Sequence, residues 1–265
     1  MDTIDQLTPD SVITVTGKVV ENDYVKMGGV EMIPESIEIE SIANALPIVR
    51  KEIAATKKKK AVERSSIDQR IDYRWIDLRT DENQLMFKAQ SCFVNAMRKF
   101  LLDRNFIEIH TPKLIAAASE SGSEVFKVDY FDRNAYLAQS PQFYKQMAMA
   151  AGFERIFETG PVFRAEKSYT NKHSTEFSGF DLEFSYITSY KDVMKMEEEL
   201  LTAGLQAVKD SYGDQIKEMF GQEVIVPTTP FPVVKLADLY KGLEEEFGYT
   251  VDESEKGDLT TEPSA

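Results

Sequence analysis

The residues from Phe163 to Glu183, FRAEKSYTNKHSTEFSGFDLE, bring together side chains that could hold a nucleotide. Read as two strands joined by a charged loop, the stretch puts Arg164 and Glu166 on one face of the first strand. Phe177, Asp181 and Glu183 share one face of the second, because side chains alternate across a strand. Phe180, Leu182 and Phe184 then point the other way, leaving an open polar face above an apolar floor. A guanidinium on that face can bind a phosphate as a planar bidentate donor, and an aromatic ring can stack on an adenine. Lys167, Lys172 and His173, in the loop, can close over the remaining phosphates.

Such a hairpin needs elements to hold it. Apolar residues recur at helical spacing from Asp81 to Arg104 through Leu85, Phe87, Ala89, Phe93, Val94, Met97, Phe100 and Leu101, which predicts a helix with one buried stripe and Asp81 as its N-cap. Asn105 is placed to end that helix before a strand over Phe106 to Ile109. After the hairpin, Tyr190 to Tyr212 predicts a second amphipathic helix with Gly213 as its stop, and a last helix runs from Ala237 to Phe247 before Gly248. Near the start, VITVTGKVV alternates as a half-buried strand does, and a glycine turn leads to a second strand in KMGGVEMIPESIEIES. The polar, acidic end beyond residue 250 has no periodicity and reads as a frayed tail.

The 265 residues have room for one large or two modest domains, and 42% hydrophobic with 11% aromatic content supports a packed core rather than a disordered chain. The one cysteine, Cys92, excludes a disulfide framework, suits a reducing compartment and reads as a small buried helix residue. The start has no basic region followed by an apolar run and no stretch approaches a membrane span, so the expected location is cytoplasmic, with no membrane partner. A net charge of −14 argues at first against a nucleic-acid partner. That charge is uneven: residues 1–50 carry −6, 51–110 carry +4, 111–190 carry −2 and 191–265 carry −10. The basic segment is a connector, with Lys57 to Lys60 followed by Arg64, Arg70, Arg74 and Arg79. It is either a solvated linker or a polyanion-facing surface.

The hairpin is similar to motif 2 of the class II aminoacyl-tRNA synthetases, F-R-x-E, a loop, then H-x-x-x-F. FIEIHTPKLI, from Phe106 to Ile115, resembles motif 1, in which a long helix leads into a strand ending at a proline, here Pro112. AYLAQSPQFYKQ, from Ala135 to Gln146, resembles the amino-acid-binding segment of aspartyl-tRNA synthetases of the archaeal and eukaryotic type. The similarities run in the family's order from about residue 11 to beyond 240.

The resemblance implies an α+β fold, an antiparallel sheet flanked by helices and preceded by a partial OB-fold barrel. It divides the chain into a partial OB-fold anticodon-binding domain at 1–50, a basic hinge at 51–80 facing tRNA, and a C-terminally incomplete catalytic domain at 81–265. The implied reaction activates aspartate with ATP to aspartyl-adenylate and passes the aspartyl group to tRNA, by positioning and charge neutralisation more than by a general base. Arg164 is the implied catalytic residue, bridging the aspartate carboxylate and the α-phosphate. Glu166, Lys172, His173, Ser174 and Phe177 complete the ATP set, with Phe177 stacked on adenine and Glu166 accepting from an adenine amine or the incoming tRNA end. Glu120, Gln142 and Lys145, with Arg164, form the aspartate set. Within it a buried Lys145 favours a carboxylate over an amide. Ser121 stands where the family's flipping loop has a glycine after the glutamate, and Lys172 stands where arginine is more common.

Motif 3 and the acidic segment that holds Mg²⁺ in the family have no match in the chain. The expectation is therefore half of a nucleotide site, with no metal ligands here and no ATP–pyrophosphate exchange from this polypeptide alone. A homodimer through the motif 1 region is the implied assembly. The alternatives are an asparaginyl-tRNA synthetase and a non-catalytic truncated synthetase paralogue.

Overall fold

The computed structural model describes residues 4–25, 28–52, 63–117, 125–166, 174–253 and 256–257. They fall into two units, residues 1–87 and 88–265. In the first, β1 (Val12–Glu21) and β2 (Val30–Ser41) form an antiparallel ribbon, the described part of the expected partial barrel. Gly28 and Gly29, at φ 75° and 65°, make the turn between them. The ribbon is irregular at Gly17, where a Cβ would fall 2.1 Å from the carbonyl oxygen of Ile33, so only glycine lets the strands approach there. Val19 and Ile33 remain 63% and 53% exposed.

The described part of the basic connector is folded and ion-paired. Ser66 and Gln69 form a reciprocal capping box at the start of α1 (Ile67–Asp72), and α2 (Arg74–Asp77) follows one residue later. Asp77 is fully buried, and three arginines converge on its carboxylate: Arg74 at 2.8 Å, Arg64 and Arg70 at 3.5 Å each. Arg79 reaches Asp10 at 3.5 Å, and Arg50 reaches the same carboxylate at 2.8 Å. Arg64, Arg70 and Arg74 thus supply the charge that Asp77 requires, because a buried carboxylate is tolerated only when paired. Lys57 to Lys60 lie outside the described residues.

The helix α3 (Asp81–Leu102) begins one residue earlier than Asp81 as its cap requires. Thr80 is the cap: its Oγ1 accepts from the Asn83 backbone N–H at 3.4 Å, and Asp81 is the first helical residue. Asn105 takes φ 64° and turns the chain into β3 (Ile107–Glu108), as its place predicts. The elements β4 (Leu114–Ile115), β5 (Lys127–Tyr130) and β6 (Arg133–Leu137) form a small antiparallel sheet in the order β4-β6-β5. After α4 (Gln142–Ala150) come β7 (Arg155–Phe163) and β8 (Glu176–Phe184), the two arms of the expected hairpin. They pair antiparallel in a second sheet of order β3-β7-β8, whose β3 edge is parallel to β7. Ala138 joins the sheets, its N–H donating to the Lys113 carbonyl at 3.0 Å and its carbonyl accepting from Phe163 N–H at 2.9 Å.

Two long helices carry the apolar floor. Met97 and Leu101 of α3, Leu200 of α5 (Tyr190–Phe220), Phe106 and Phe157 form the core, with Phe180, Leu182 and Phe184 of β8 packed against it. Each such side chain contributes roughly 1.5–3 kcal/mol when fully buried, which fixes the face that β8 must turn inward. The helix α5 does not stop at Gly213 but runs two further turns to Gly221, whose left-handed φ of 67° ends it. Glycine inside a helix costs only about 1 kcal/mol relative to alanine, too little to end a helix held by tertiary packing. The last helix, α6 (Leu236–Phe247), ends at Gly248 as expected. Val251 beyond it is buried, so the tail does not fray from its first residue; residues 254–255 and 258–265 are outside the described set. Cys92 is half-buried rather than buried, its Sγ 3.7 Å from Ser211 Oγ. Among the described residues no helix is long and apolar enough to cross a membrane.

The contact between α3 and α5 depends on Gly204. A Cβ there would lie 2.6 Å from Phe93 Cε2 and 3.1 Å from Met97 Cγ. Gly204→Ala should therefore destabilise the protein by about 1–3 kcal/mol through overpacking, despite the better helix propensity of alanine. Urea denaturation checks this, and a stabilised variant would show that Phe93 moves aside freely.

Candidate functional site

The register of the hairpin builds the site. Val162 opposes Phe177, Gly160 opposes Gly179 and Glu158 opposes Asp181, so these pairs share the face opposite the apolar floor. Regular strand pairing stops at Phe163, yet the Arg164 N–H still donates to the Thr175 carbonyl at 2.9 Å, which holds Arg164 at the mouth of the hairpin. Its guanidinium carbon lies 5.6 Å from the centre of the Phe177 ring, within cation–π range. A cleft of about 100 Å³ runs along the face, lined by Arg164, Phe177, Asp181, Glu158 and Lys113, with Gln139 and Ser140 from the segment before α4. The two glycines leave its middle without side chains.

At the far end stands Lys145, on the first turn of α4. Its Nζ donates to Asp181 Oδ1 at 2.7 Å and lies 3.3 Å from Glu183 Oε2. Burial alone would lower its pKa, but hydrogen bonding and charge from Asp181 and Glu183 outweigh burial and raise it above the ordinary 10.5. Stability from this clamp is therefore fully present below 10.5 and is lost only as pH rises through the higher folded value. One cation faces two carboxylates, so the clamp carries net negative charge.

The third group is a buried carboxylate. Glu158, 5% exposed, accepts from Thr111 N–H at 2.8 Å, Thr111 Oγ1 at 2.7 Å and Lys113 Nζ at 2.9 Å. Burial disfavours its charge, but these donors prevail and hold its pKa below the ordinary 4.5. Its contribution to stability is present above 4.5 and is lost as pH falls through the depressed folded value. Glu158→Gln should thus cost about 1–3 kcal/mol near neutrality, and the gap to wild type should close as pH falls below 4.5 and through the depressed folded value. Urea titrations at several pH values read this directly; a gap independent of pH would show that the charge of Glu158 contributes nothing.

Of the site residues read from sequence, Arg164, Phe177 and Lys145 come together on one face of β7, β8 and α4. Glu166 and Ser174 are exposed at the two ends of the connecting loop. Gln142 begins α4 but does not line the cleft, whereas Gln139, three residues earlier, does so and is 1% exposed. Glu120, Lys172 and His173 lie outside the described residues. The site also contains Glu158, Lys113 and the carboxylates Asp181 and Glu183. The last two share the face of Phe177, as their period-two spacing predicts. Among the described residues no group of three or more histidine, cysteine, aspartate or glutamate side chains is arranged to hold a metal ion.

The chain is similar to known proteins along nearly all its length. It is 43% identical over 269 residues to an aspartate–tRNA(Asp/Asn) ligase of Methanopyrus kandleri, covering 98% of this chain and 60% of that protein. It is 42% identical to an aspartate–tRNA(Asp) ligase of Picrophilus torridus over 82% of this chain and 49% of that one. Its fold superposes on asparaginyl-tRNA synthetase from Pyrococcus horikoshii, complexed with asparaginyl-adenylate, with a TM-score of 0.83 at 30% identity, covering 98% of this chain and 56% of that one. The aspartyl-tRNA synthetase of Entamoeba histolytica gives 0.75 at 32% identity, over 96% and 52%. The chain thus spans about half to three fifths of these relatives. The model of the class II tRNA synthetases (D, K and N) matches residues 66–260, a span that holds the hairpin, the Lys145 clamp and the buried Glu158, and it is to this family that the chain belongs.

Proposed function

We propose that this chain carries the amino-acid and nucleotide half-site of an aspartate–tRNA ligase, which activates aspartate with ATP and transfers it to tRNA. The observation that supports this most directly is the shared face: Arg164 and Phe177 at one end of the cleft, and at the other Asp181, which Lys145 holds from beside the cleft. A ligand with a purine at one end and an amino acid at the other spans such a face, and Arg164, beside the ring that would stack the purine, would reach from that end toward the anionic group joining the two halves of an adenylate. Phe177 stacks the base, Arg164 neutralises phosphoryl charge, and Lys145 meets the side-chain carboxylate while Asp181 and Glu183 receive positive charge from the amino acid. The Pyrococcus horikoshii relative is described with an adenylate bound, which fits this placement.

In the same reading residues 1–50 belong to an anticodon-binding barrel, 51–80 to the hinge and 81–265 to the catalytic domain. The partners are tRNA, ATP, aspartate and a second copy through the region of β3, with Mg²⁺ accompanying ATP and the cytoplasm as the location. Titration calorimetry with non-hydrolysable aspartyl- and asparaginyl-adenylate analogues tests the reading. The aspartyl analogue should bind about tenfold tighter or better, the ratio expected when one charge-assisted contact is kept or lost. Preference for the asparaginyl analogue would favour an asparaginyl-tRNA synthetase, and binding of neither would favour a non-catalytic relative.

A further inference from the structure

We propose that Lys113 is a second anion-binding residue of the cleft, parked on Glu158 in the free protein and released to take a phosphoryl oxygen of a bound nucleotide. The assignment rests on the nucleotide reading above and adds a cation that neither arm of the hairpin supplies. Lys113 enters from the segment between β3 and β4, and its side chain crosses β7 at Gly160: a Cβ there would stand 3.6 Å from Lys113 Cε and 3.7 Å from its Nζ. In the hairpin register Gly160 lies midway between Val162, the partner of Phe177, and Glu158, the partner of Asp181. The ammonium is thus about 7 Å along the strand from either end, where a nucleotide stacked on Phe177 and extended toward Asp181 carries its phosphoryl group.

Release of Lys113 takes the cation from a buried carboxylate, a cost that the bound phosphoryl group must offset, but it does not leave Glu158 without hydrogen-bond donors. When it moves away from Glu158 Oε1 at 2.9 Å and Thr111 Oγ1 at 3.1 Å, Glu158 keeps both Thr111 donors, at 2.8 and 2.7 Å. The Lys113 side chain is already 23% exposed. Lys145 offers no such freedom, because its departure would take the cation from Asp181 and Glu183 together. Of the two lysines on this face, Lys113 is the one that can follow a ligand.

Titration calorimetry of the 265-residue chain with adenosine and with AMP tests the assignment. Lys113→Met should weaken AMP binding about tenfold and leave adenosine within about twofold, the loss of one charge-assisted contact. Glu158→Gln, which removes the charge that parks the lysine, should leave adenosine unchanged and bind AMP more tightly. Equal losses for both ligands in Lys113→Met, no loss of AMP affinity, or weaker AMP binding in Glu158→Gln would overturn the role of Lys113 and leave the nucleotide reading standing. Unchanged adenosine binding in Phe177→Ala, or none by the wild-type chain, would overturn the nucleotide reading and this assignment with it.

Discussion

Replacing Lys145 with methionine is expected to weaken binding of an aspartyl-adenylate analogue by about 100-fold or more while costing only about 1–2 kcal/mol of stability. The two effects separate for a physical reason. Asp181 and Glu183 are 29% and 32% exposed, so on losing their cation they are partly rescued by water. A bound ligand excludes that water, and its own carboxylate then faces two others with no positive charge between them. Two lost charge-assisted contacts of about 1.5 kcal/mol each already exceed the 2.7 kcal/mol that 100-fold represents. Lys145→Arg should not restore binding, since a planar fork cannot reproduce a point charge shared between two strand carboxylates. Calorimetry with the analogue and urea denaturation read the two effects separately. A proportionate loss of both would mean that Lys145 acts through the fold alone.

The largest stability effect should come from Asp77. Its carboxylate is fully buried among Arg64, Arg70 and Arg74, and Oδ2 also accepts from Asn83 Nδ2 at 3.0 Å. The Asp77 backbone carbonyl accepts from Asn83 Nδ2 at 2.8 Å and Thr80 Oγ1 at 3.1 Å, so one residue fastens α2 to the start of α3. Asp77→Ala would leave three cations converging on an apolar methyl group, a loss of about 3–5 kcal/mol. Arg74→Gln should cost far less, about 1 kcal/mol, because Arg74 is 41% exposed and Asp77 keeps its other two arginines. Denaturant midpoints of the two variants decide the matter. Equal small losses would show that the cluster is solvated rather than buried.

The ion-pair cluster of the basic connector is not legible in the sequence. A run of arginines looks the same whether it faces solvent or closes on a carboxylate, and only burial of Asp77 distinguishes the two. By contrast the polar and apolar faces of β8 were legible, because a period of two fixes both once either is assigned. The end of α5 was misjudged because the penalty at Gly213 is local, whereas the packing that carries the helix past it is not. Thr80 and Asp81 cannot be told apart as caps in the sequence, because both residue types suit that position. The link from Thr111 and Lys113 to Glu158 spans some 45 residues of chain and has no periodic signature, so folding alone reveals it.

The facing glycines of β7 and β8 separate two kinds of selection. A methyl group on Gly179 would meet Val162 at 3.7 Å and one on Gly160 would meet Lys113 at 3.6 Å, both ordinary van der Waals distances. Alanine at either position is therefore acceptable to the protein itself, and in a strand it is favoured by about 0.5–1 kcal/mol over glycine. What it would obstruct is the thin bed on which a guest molecule lies. Drift at these two sites should be restrained by occupancy rather than by durability, so a sturdier but emptier protein is the form in which their loss would show.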